Sequence, residues 1–406
     1  AQDVIRGVNL GGWLVTEPWM TPSLFRATST QDEWHLCSAL GKDKCYALLQ
    51  DHWSTFYTRD DFVQIKKAGL NSVRIPLGYW AVDLLSYEPY VSGQYPYLIN
   101  AVRWAKDIGL TVMIDLHGAP GSQNGWEESG ITGPVEFPAN QTNTDRTIKV
   151  LKNLTDEFSQ STYGGAVISI ELLNEPKMDF TVLSNFYSAA FETVVAGNAS
   201  GINVTIHDGF FQPHSWANYH PTSAAATESA EYLSIDTHQF WAFPPLDNLT
   251  KPEILDAICD FGQQQLHMTS GKYTGILPTV VGEWSLSTGI TGNSTTQSQN
   301  DPEKRTWFRT LFEAQNAAYT PKGPGQPSIG WYYWAWKTEY DIDAWSYRRG
   351  IAEEYIPSDV SDSSKFVFPI KPNGCIDETF HYSAPKSVPT YTASDAVPSS
   401  TSTATG

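Results

Sequence analysis

The chain has 406 residues, with 44 acidic side chains against 26 basic ones, a formal charge of −18, 15 tryptophans and four cysteines. That length suits an α/β barrel as a single domain, and 41% hydrophobic against 17% charged residues excludes a disordered or fibrous chain. The spread negative charge repels phosphate backbones and anionic lipid, so no nucleic acid or membrane partner is expected, and no run approaches the ~20 apolar residues of a membrane span.

Short Val/Ile-rich runs recur along the chain, each followed by a longer amphipathic stretch. Strands are predicted at residues 5–10, 72–77, 111–116, 167–173, 203–206, 232–237, 278–282 and 331–336. Helices are predicted at 97–108, 145–158, 183–195, 253–267 and 302–318. Runs of this composition are what strands covered on both faces by helices require. Eight such units point to an α/β fold, a single closed (β/α)8 TIM barrel rather than an open sheet. Residues 1–382 are expected to form this barrel and residues 383–406 a Ser/Thr/Pro-rich tail. About sixty residues separate the first two strands, far beyond an ordinary loop, so the insertion over 13–67 is expected to build one wall of a pocket.

Four cysteines allow three pairings. Cys37 and Cys45 lie eight apart around Leu40-Gly41-Lys42, close enough to staple a local loop. Cys259 and Cys375 would then tie a late helix to the C-terminal segment, the alternative being four buried thiols. No CxxC or HExxH spacing occurs, and no metal is expected. The first residues carry no leader pattern, so any signal peptide is expected to have been removed. Sequons begin at Asn140, Asn153, Asn198, Asn203, Asn248 and Asn293, and the tail has the composition of an O-glycosylated stalk. Together they predict a secreted, extracellular glycoprotein.

In a β/α barrel the chemistry sits at the C-terminal ends of the strands. Strand two closes on Val73-Arg74-Ile75-Pro76, strand three on Asp115-Leu116-His117-Gly118 and strand four on Leu173-Asn174-Glu175-Pro176. Strand six ends in Asp236-Thr237-His238-Gln239-Phe240, strand seven in Gly282-Glu283-Trp284 and strand eight in Trp334-Ala335-Trp336. One such end is an ordinary polar cap; six at matching positions mark a site. Glu175 and Glu283 stand on opposite walls, and glycoside hydrolysis needs two carboxyl groups, ~5–5.5 Å apart in a retaining enzyme. Two carboxyls carry that chemistry without a cofactor. No GxSxG suggests a serine hydrolase.

Asn174-Glu175-Pro176 with Glu283 resembles glycoside hydrolase family 5. The opening Gly7-Val8-Asn9-Leu10-Gly11-Gly12-Trp13 with Glu17-Pro18 is similar to the fungal exo-β-1,3-glucanases of that family. So are the run His117-Gly118-Ala119-Pro120-Gly121-Ser122-Gln123-Asn124-Gly125 and Trp336-Lys337-Thr338-Glu339. The resemblance implies Glu175 as general acid/base and Glu283 as nucleophile. It implies Asn174 on the sugar 2-hydroxyl, Arg74, His117 and His238 as positioning groups, Glu17 on outer glucose hydroxyls and Trp336 as an aromatic platform. Trp334 reads as core, Glu171 as a buried polar layer, and Trp241 and Phe243 as pocket walls.

The chain departs from the exo-glucanase pattern at the rim. Phe240 stands where the family carries Tyr, Trp126-Glu127 where it carries Phe-Asp, and residues 286–291 replace its usual loop. Gly289 and Gly292 suggest a loop over 286–300 that bends away. These changes resemble the rutinosidase branch, implying release of rutinose from flavonoid rutinosides such as rutin. The alternative is an exo-β-1,3-glucanase on β-glucan, and a remote one a non-catalytic carbohydrate-binding barrel.

Overall fold

The structure, a computed structural model, describes residues 4–198, 201–221, 232–270, 274–291 and 298–391. Eight strands form one closed barrel in chain order, every pair parallel. They are β1 (Ile5–Asn9), β2 (Ser72–Gly78), β3 (Thr111–Gly118), β4 (Val167–Glu171), β5 (Asn203–His207), β6 (Leu233–Trp241), β7 (Thr279–Thr288) and β8 (Ser328–Tyr333). Closure is between β1 and β8, with Ile5 opposite Gly330. The predicted (β/α)8 barrel is the observed fold.

After a single helical turn at Pro22–Phe25, three longer helices fill the long insertion: α1 (Glu33–Leu40), α2 (Lys42–Thr55) and α3 (Arg59–Lys67). Asp32 caps α1 by accepting the His35 N–H at 2.8 Å. Gly41, at a φ of 76°, then turns the chain directly into α2, a left-handed conformation that glycine adopts without Cβ strain. That turn brings Cys37 and Cys45 together, with Cα atoms 5.1 Å apart, and they are joined. The Asp32 carboxylate also accepts the Thr132 N–H at 2.9 Å, fastening the insertion to the segment after β3.

The remaining helices are α4 (Tyr95–Ile108), α5 (Gln141–Phe158), α6 (Phe180–Gly197), α7 (Lys251–Phe261), α8 (Pro302–Tyr319) and α9 (Tyr347–Ala352). Beyond Phe261 a π-turn over Gly262–Leu266 continues the predicted late helix. Between β5 and β6 the described residues form a short 3-10 turn, Pro213–Trp216, in place of a long helix. Cys259 of α7 is bonded to Cys375, as expected. No described helix is long and apolar enough to cross a membrane.

Several strand ends differ from expectation. β4 stops at Glu171, two residues before the predicted end, although the Leu172 and Asn174 N–H groups still bond carbonyls of the flanking strands, at Thr205 of β5 and Leu116 of β3. β8 spans 328–333, three residues earlier than predicted, so Trp334 and Trp336 lie beyond the strand. β7 runs on to Thr288, buried throughout, and Gly289 packs so tightly on Asp247 that a Cβ would meet its carbonyl oxygen at 1.7 Å. The loop after β7 therefore starts clamped to the segment after β6 rather than bending away; residues 292–297, Gly292 and the Asn293 sequon among them, lie outside the described residues. Ala384 and Pro385 of the tail bond to Thr306 and Arg305 of α8, and Tyr391 reaches Asp341 with its hydroxyl at 2.6 Å. Residues 392–406 lie outside the described residues.

Candidate active site

Arg74 is the centre of the barrel mouth and has no solvent exposure. On β2 it shares inward parity with Ser72, whose hydroxyl meets Tyr332 below. Its guanidinium donates through Nη1 to Glu283 at 2.8 Å and to Asn9 at 3.0 Å. Through Nη2 it donates to Glu171 at 2.7 Å and Asn174 at 2.8 Å. Asp115 and Asp236 stand 3.3 and 3.4 Å away. One cation thus holds four buried carboxyl groups, a number that cannot all be charged in a dry site. Burial, with Asp236 and Asp115, pushes Glu171 well above the usual carboxyl range despite Arg74, whose Nε and Nη2 both donate to its Oε2 in a polar layer beneath the site. Asp115 goes the other way: burial opposes its charge, but Arg74 and His117 hold it below the usual range.

The two predicted glutamates face each other across one histidine. His238 donates from Nδ1 to Glu175 at 2.6 Å, and the same nitrogen lies 3.4 Å from Glu283. Those carboxyl oxygens are therefore no more than about 6 Å apart, short of the ~6.5–9.5 Å that an inverting glycosidase needs for its water. Burial works against an imidazolium, yet Glu283 and Asp236 hold His238 well above the usual histidine range. Burial pushes Glu283 up to about 8; His238 and Arg74 pull it down, and Glu175 pushes it further up.

Local folding explains the placement. Glu175 takes a left-handed φ of 43°, a strained conformation for a non-glycine residue of the kind that collects at functional sites. Asn124 holds the turn by donating to the Glu175 carbonyl at 3.2 Å, and Gln123 ties the carbonyls of His117 and Asn174 together at 2.7 and 3.0 Å. His117 bonds Asp115 through Nδ1 at 2.6 Å. Its Nε2 and the Asn174 Nδ2 are buried and have no hydrogen-bond partner among the described residues; with Nδ1 donating to the Asp115 carboxylate, Nε2 of a neutral His117 is an acceptor, whereas the Asn174 amide is a donor.

Glu17, from the insertion, is buried and accepts the Trp19 indole N–H at 2.8 Å. Burial and then Glu127, Glu283 and Glu175 push its carboxyl well up. Glu127 opens a 3-10 turn, Glu127–Ser129, whose next residue the sequence reading passed over. Glu128 accepts from Asn124 at 2.9 Å, and burial with Glu175, Glu17 and Glu127 pushes it well up. Its place in Trp126-Glu127-Glu128 was the available signal. The other omission is His207 at the end of β5, one residue past the predicted strand.

Two aromatic groups border the mouth. Trp126, 36% exposed, meets Phe210 edge-to-face at 5.8 Å. Phe240 packs beside His238 at 6.4 Å, Phe243 at 5.9 Å and Trp345 at 5.5 Å. Two aromatic expectations need correction. Trp336 is not at the site: beyond the end of β8 the chain turns, its indole donates to Asp61 of α3 at 3.1 Å, and its ring stacks on Tyr347. Trp334 is buried in the core as read, and its ring also lies parallel to His117 at 5.6 Å and packs on Gly11, where a Cβ would come within 2.6 Å. Trp241 points outward, bonding Gln315 of α8 at 3.2 Å, whereas Phe243 is half exposed at the rim.

The family model for cellulase, glycosyl hydrolase family 5, matches residues 39–339. A probable glucan 1,3-beta-glucosidase A of Aspergillus fumigatus is 38% identical over 394 residues, covering 88% of each chain. A glucan 1,3-beta-glucosidase of Lachancea kluyveri is 35% identical over 405 residues, covering 89% of this chain and 88% of its own. Among solved structures, a rutinosidase from Aspergillus niger superposes with a TM-score of 0.71 at 23% identity, covering 87% of this chain and 98% of its own, a likeness of fold. The chain belongs to glycoside hydrolase family 5. It is a β-glycosidase built on a (β/α)8 barrel.

Proposed function

We propose that the chain is a secreted retaining β-glycosidase in which Glu283 is the nucleophile and Glu175 the general acid/base. The observation that carries this reading is the shared nitrogen of His238, 2.6 Å from Glu175 and 3.4 Å from Glu283, with Arg74 on the far oxygen of Glu283. Arg74 engages Oε1 and leaves Oε2 to attack the anomeric carbon. As that bond forms, Glu175 gives its proton to the leaving oxygen. In the second step Glu175 takes a proton from water, the water attacks the same carbon, and Glu283 is released. A proton on Glu175 removes the charge that pushes Glu283 up, so the pair works with one proton and one negative charge between them. Asn174, His117, Glu17, Glu127 and Glu128 supply donors and acceptors for sugar hydroxyls, and Trp334 an apolar face beside them.

For the substrate, we infer a β-1,3-linked glucoside cut from its non-reducing end. Two findings support it over the rutinoside favoured by sequence: the glucan 1,3-beta-glucosidase relatives match almost the whole chain, and Gly289 is packed against Asp247 where a loop bending away was expected. Release of rutinose is the second reading, favoured by Phe240 in place of Tyr and by the longer side chain of Glu127. A parallel assay on laminari-oligosaccharides and rutin separates them. Faster cleavage of rutin, with intact rutinose as product, would transfer the assignment to the rutinosidase branch. Secretion is supported by the two disulfides. Residues 1–382 are proposed as the catalytic domain.

A further inference from the structure

His207 stands at the end of β5 and shares inward parity with Thr205, whose hydroxyl meets those of Ser169 and Ser234 inside the barrel. It is fully buried. Its Nδ1 accepts the backbone N–H of Gly209 at 3.0 Å. A neutral imidazole has one accepting and one donating nitrogen, so this bond puts the proton on Nε2. That Nε2 is buried and has no hydrogen-bond partner among the described residues. The Nε2 of His117 and the Nδ2 of Asn174 are in the same condition at the same mouth.

The ring packs edge-to-face on His238, 4.4 Å between centroids, and on Phe210 at 5.3 Å. One of its nitrogens lies within 4.8 Å of a Glu175 carboxylate oxygen and of a His238 nitrogen. No direct hydrogen bond joins His207 to Glu175 among the described residues, and a span of up to 4.8 Å is one that a single oxygen atom bridges when it bonds to both. A metal ion fits the trio poorly. Binding it at Nε2 would move the proton to Nδ1, against the Gly209 N–H, and His238 already carries a proton drawn by Glu283 and Asp236.

We propose that His207 Nε2–H donates to the reacting oxygen that Glu175 serves: the glycosidic oxygen in the first step and the attacking water in the second. This rests on the reading of Glu175 as acid/base. In the first step the glycosidic oxygen takes the Glu175 proton on one lone pair and the His207 hydrogen bond on the other. The bond to the anomeric carbon breaks with its electrons going to that oxygen. In the second step the water gives one proton to Glu175, bonds the anomeric carbon through one lone pair and accepts from His207 on the other. The bond from that carbon to Glu283 breaks, and its electron pair returns to the carboxylate. His207 keeps its proton throughout and steadies an oxygen whose charge changes as it reacts.

The test is a leaving-group series of aryl glycosides on His207→Phe, which keeps a ring, His207→Asn, which reproduces only the Nδ1 contact, and His207→Gln, whose amide reaches toward Nε2. Thermal unfolding identifies the folded variants, and either Phe or Asn suffices. The expected result is a loss of at least about 10-fold in kcat/KM on poor leaving groups for Phe and Asn, a much smaller loss on activated ones, and recovery by Gln. An equal loss across the series, wild-type behaviour, or no advantage of Gln over Asn would overturn the proposal. Glu175→Ala belongs in the same series. If it shows no leaving-group dependence, the acid/base assignment has failed; if it does and the His207 variants do not, only the role of His207 has.

Discussion

Gly282 lies against Asp236: its N–H donates to one carboxylate oxygen at 2.7 Å, and a Cβ on it would meet the other at 2.0 Å. The residue before the nucleophile is thus seated on a buried carboxylate that also flanks Arg74 and His238. Gly282 has no left-handed φ, so alanine would suffer the collision and no backbone strain. Gly282→Ala is expected to displace Glu283 or Asp236 and lower kcat by about 100-fold or more, since misplacement by ~1 Å costs that much. Steady-state kinetics on a folded variant checks it; activity within a few-fold of wild type would remove Gly282 from the account.

The coupled pair predicts a pH signature. With its proton on, Glu175 no longer raises the Glu283 carboxyl, so Glu175→Gln, neutral at every pH, should leave the acidic limb of the pH–rate profile close to its wild-type position. On activated aryl glycosides, which need no proton from the enzyme, the alkaline limb should disappear. An alkaline limb that survives in Glu175→Gln would show that Glu175 is not the acid.

Arg74 is in contact with four buried carboxyl groups. Arg74→Met removes the guanidinium that all four share and leaves only His238 beside Glu283 and Asp236, and breaking such a buried arrangement costs ~3–5 kcal/mol. Chemical denaturation should show that loss together with near-complete loss of activity. A variant as stable as wild type would mean the carboxyl groups are protonated without the arginine.

The sequons differ in access. Asn153 and Asn248 are exposed, whereas Asn203 lies in β5 and Asn198 donates to the Ile202 carbonyl at 2.7 Å. Glycopeptide mass spectrometry of protein from a secreting eukaryotic host should find glycan on the first two and none on Asn203. Glycan on Asn203 would contradict the packing of β5.

The barrel was legible because buried parallel strands need Val/Ile-rich runs, and eight of them recur. The paired glutamates were legible because polar residues at strand ends have no place in an apolar core. What escaped depended on where a strand stops. His207 lies one residue past the predicted end of β5, and β8 ends at Tyr333, which sets the buried Trp334 against His117 and turns Trp336 away from the mouth. Contacts between distant segments, such as Asp61 with Trp336 or Asp247 with Gly289, leave no local pattern to read.

The central claim is a double displacement through Glu283. A 2-deoxy-2-fluoro glycosyl fluoride of the accepted sugar should form a stable adduct, and peptide mass spectrometry of the digested protein should find it on Glu283. An adduct on Glu175, or turnover with inverted product and no adduct at all, would contradict the account.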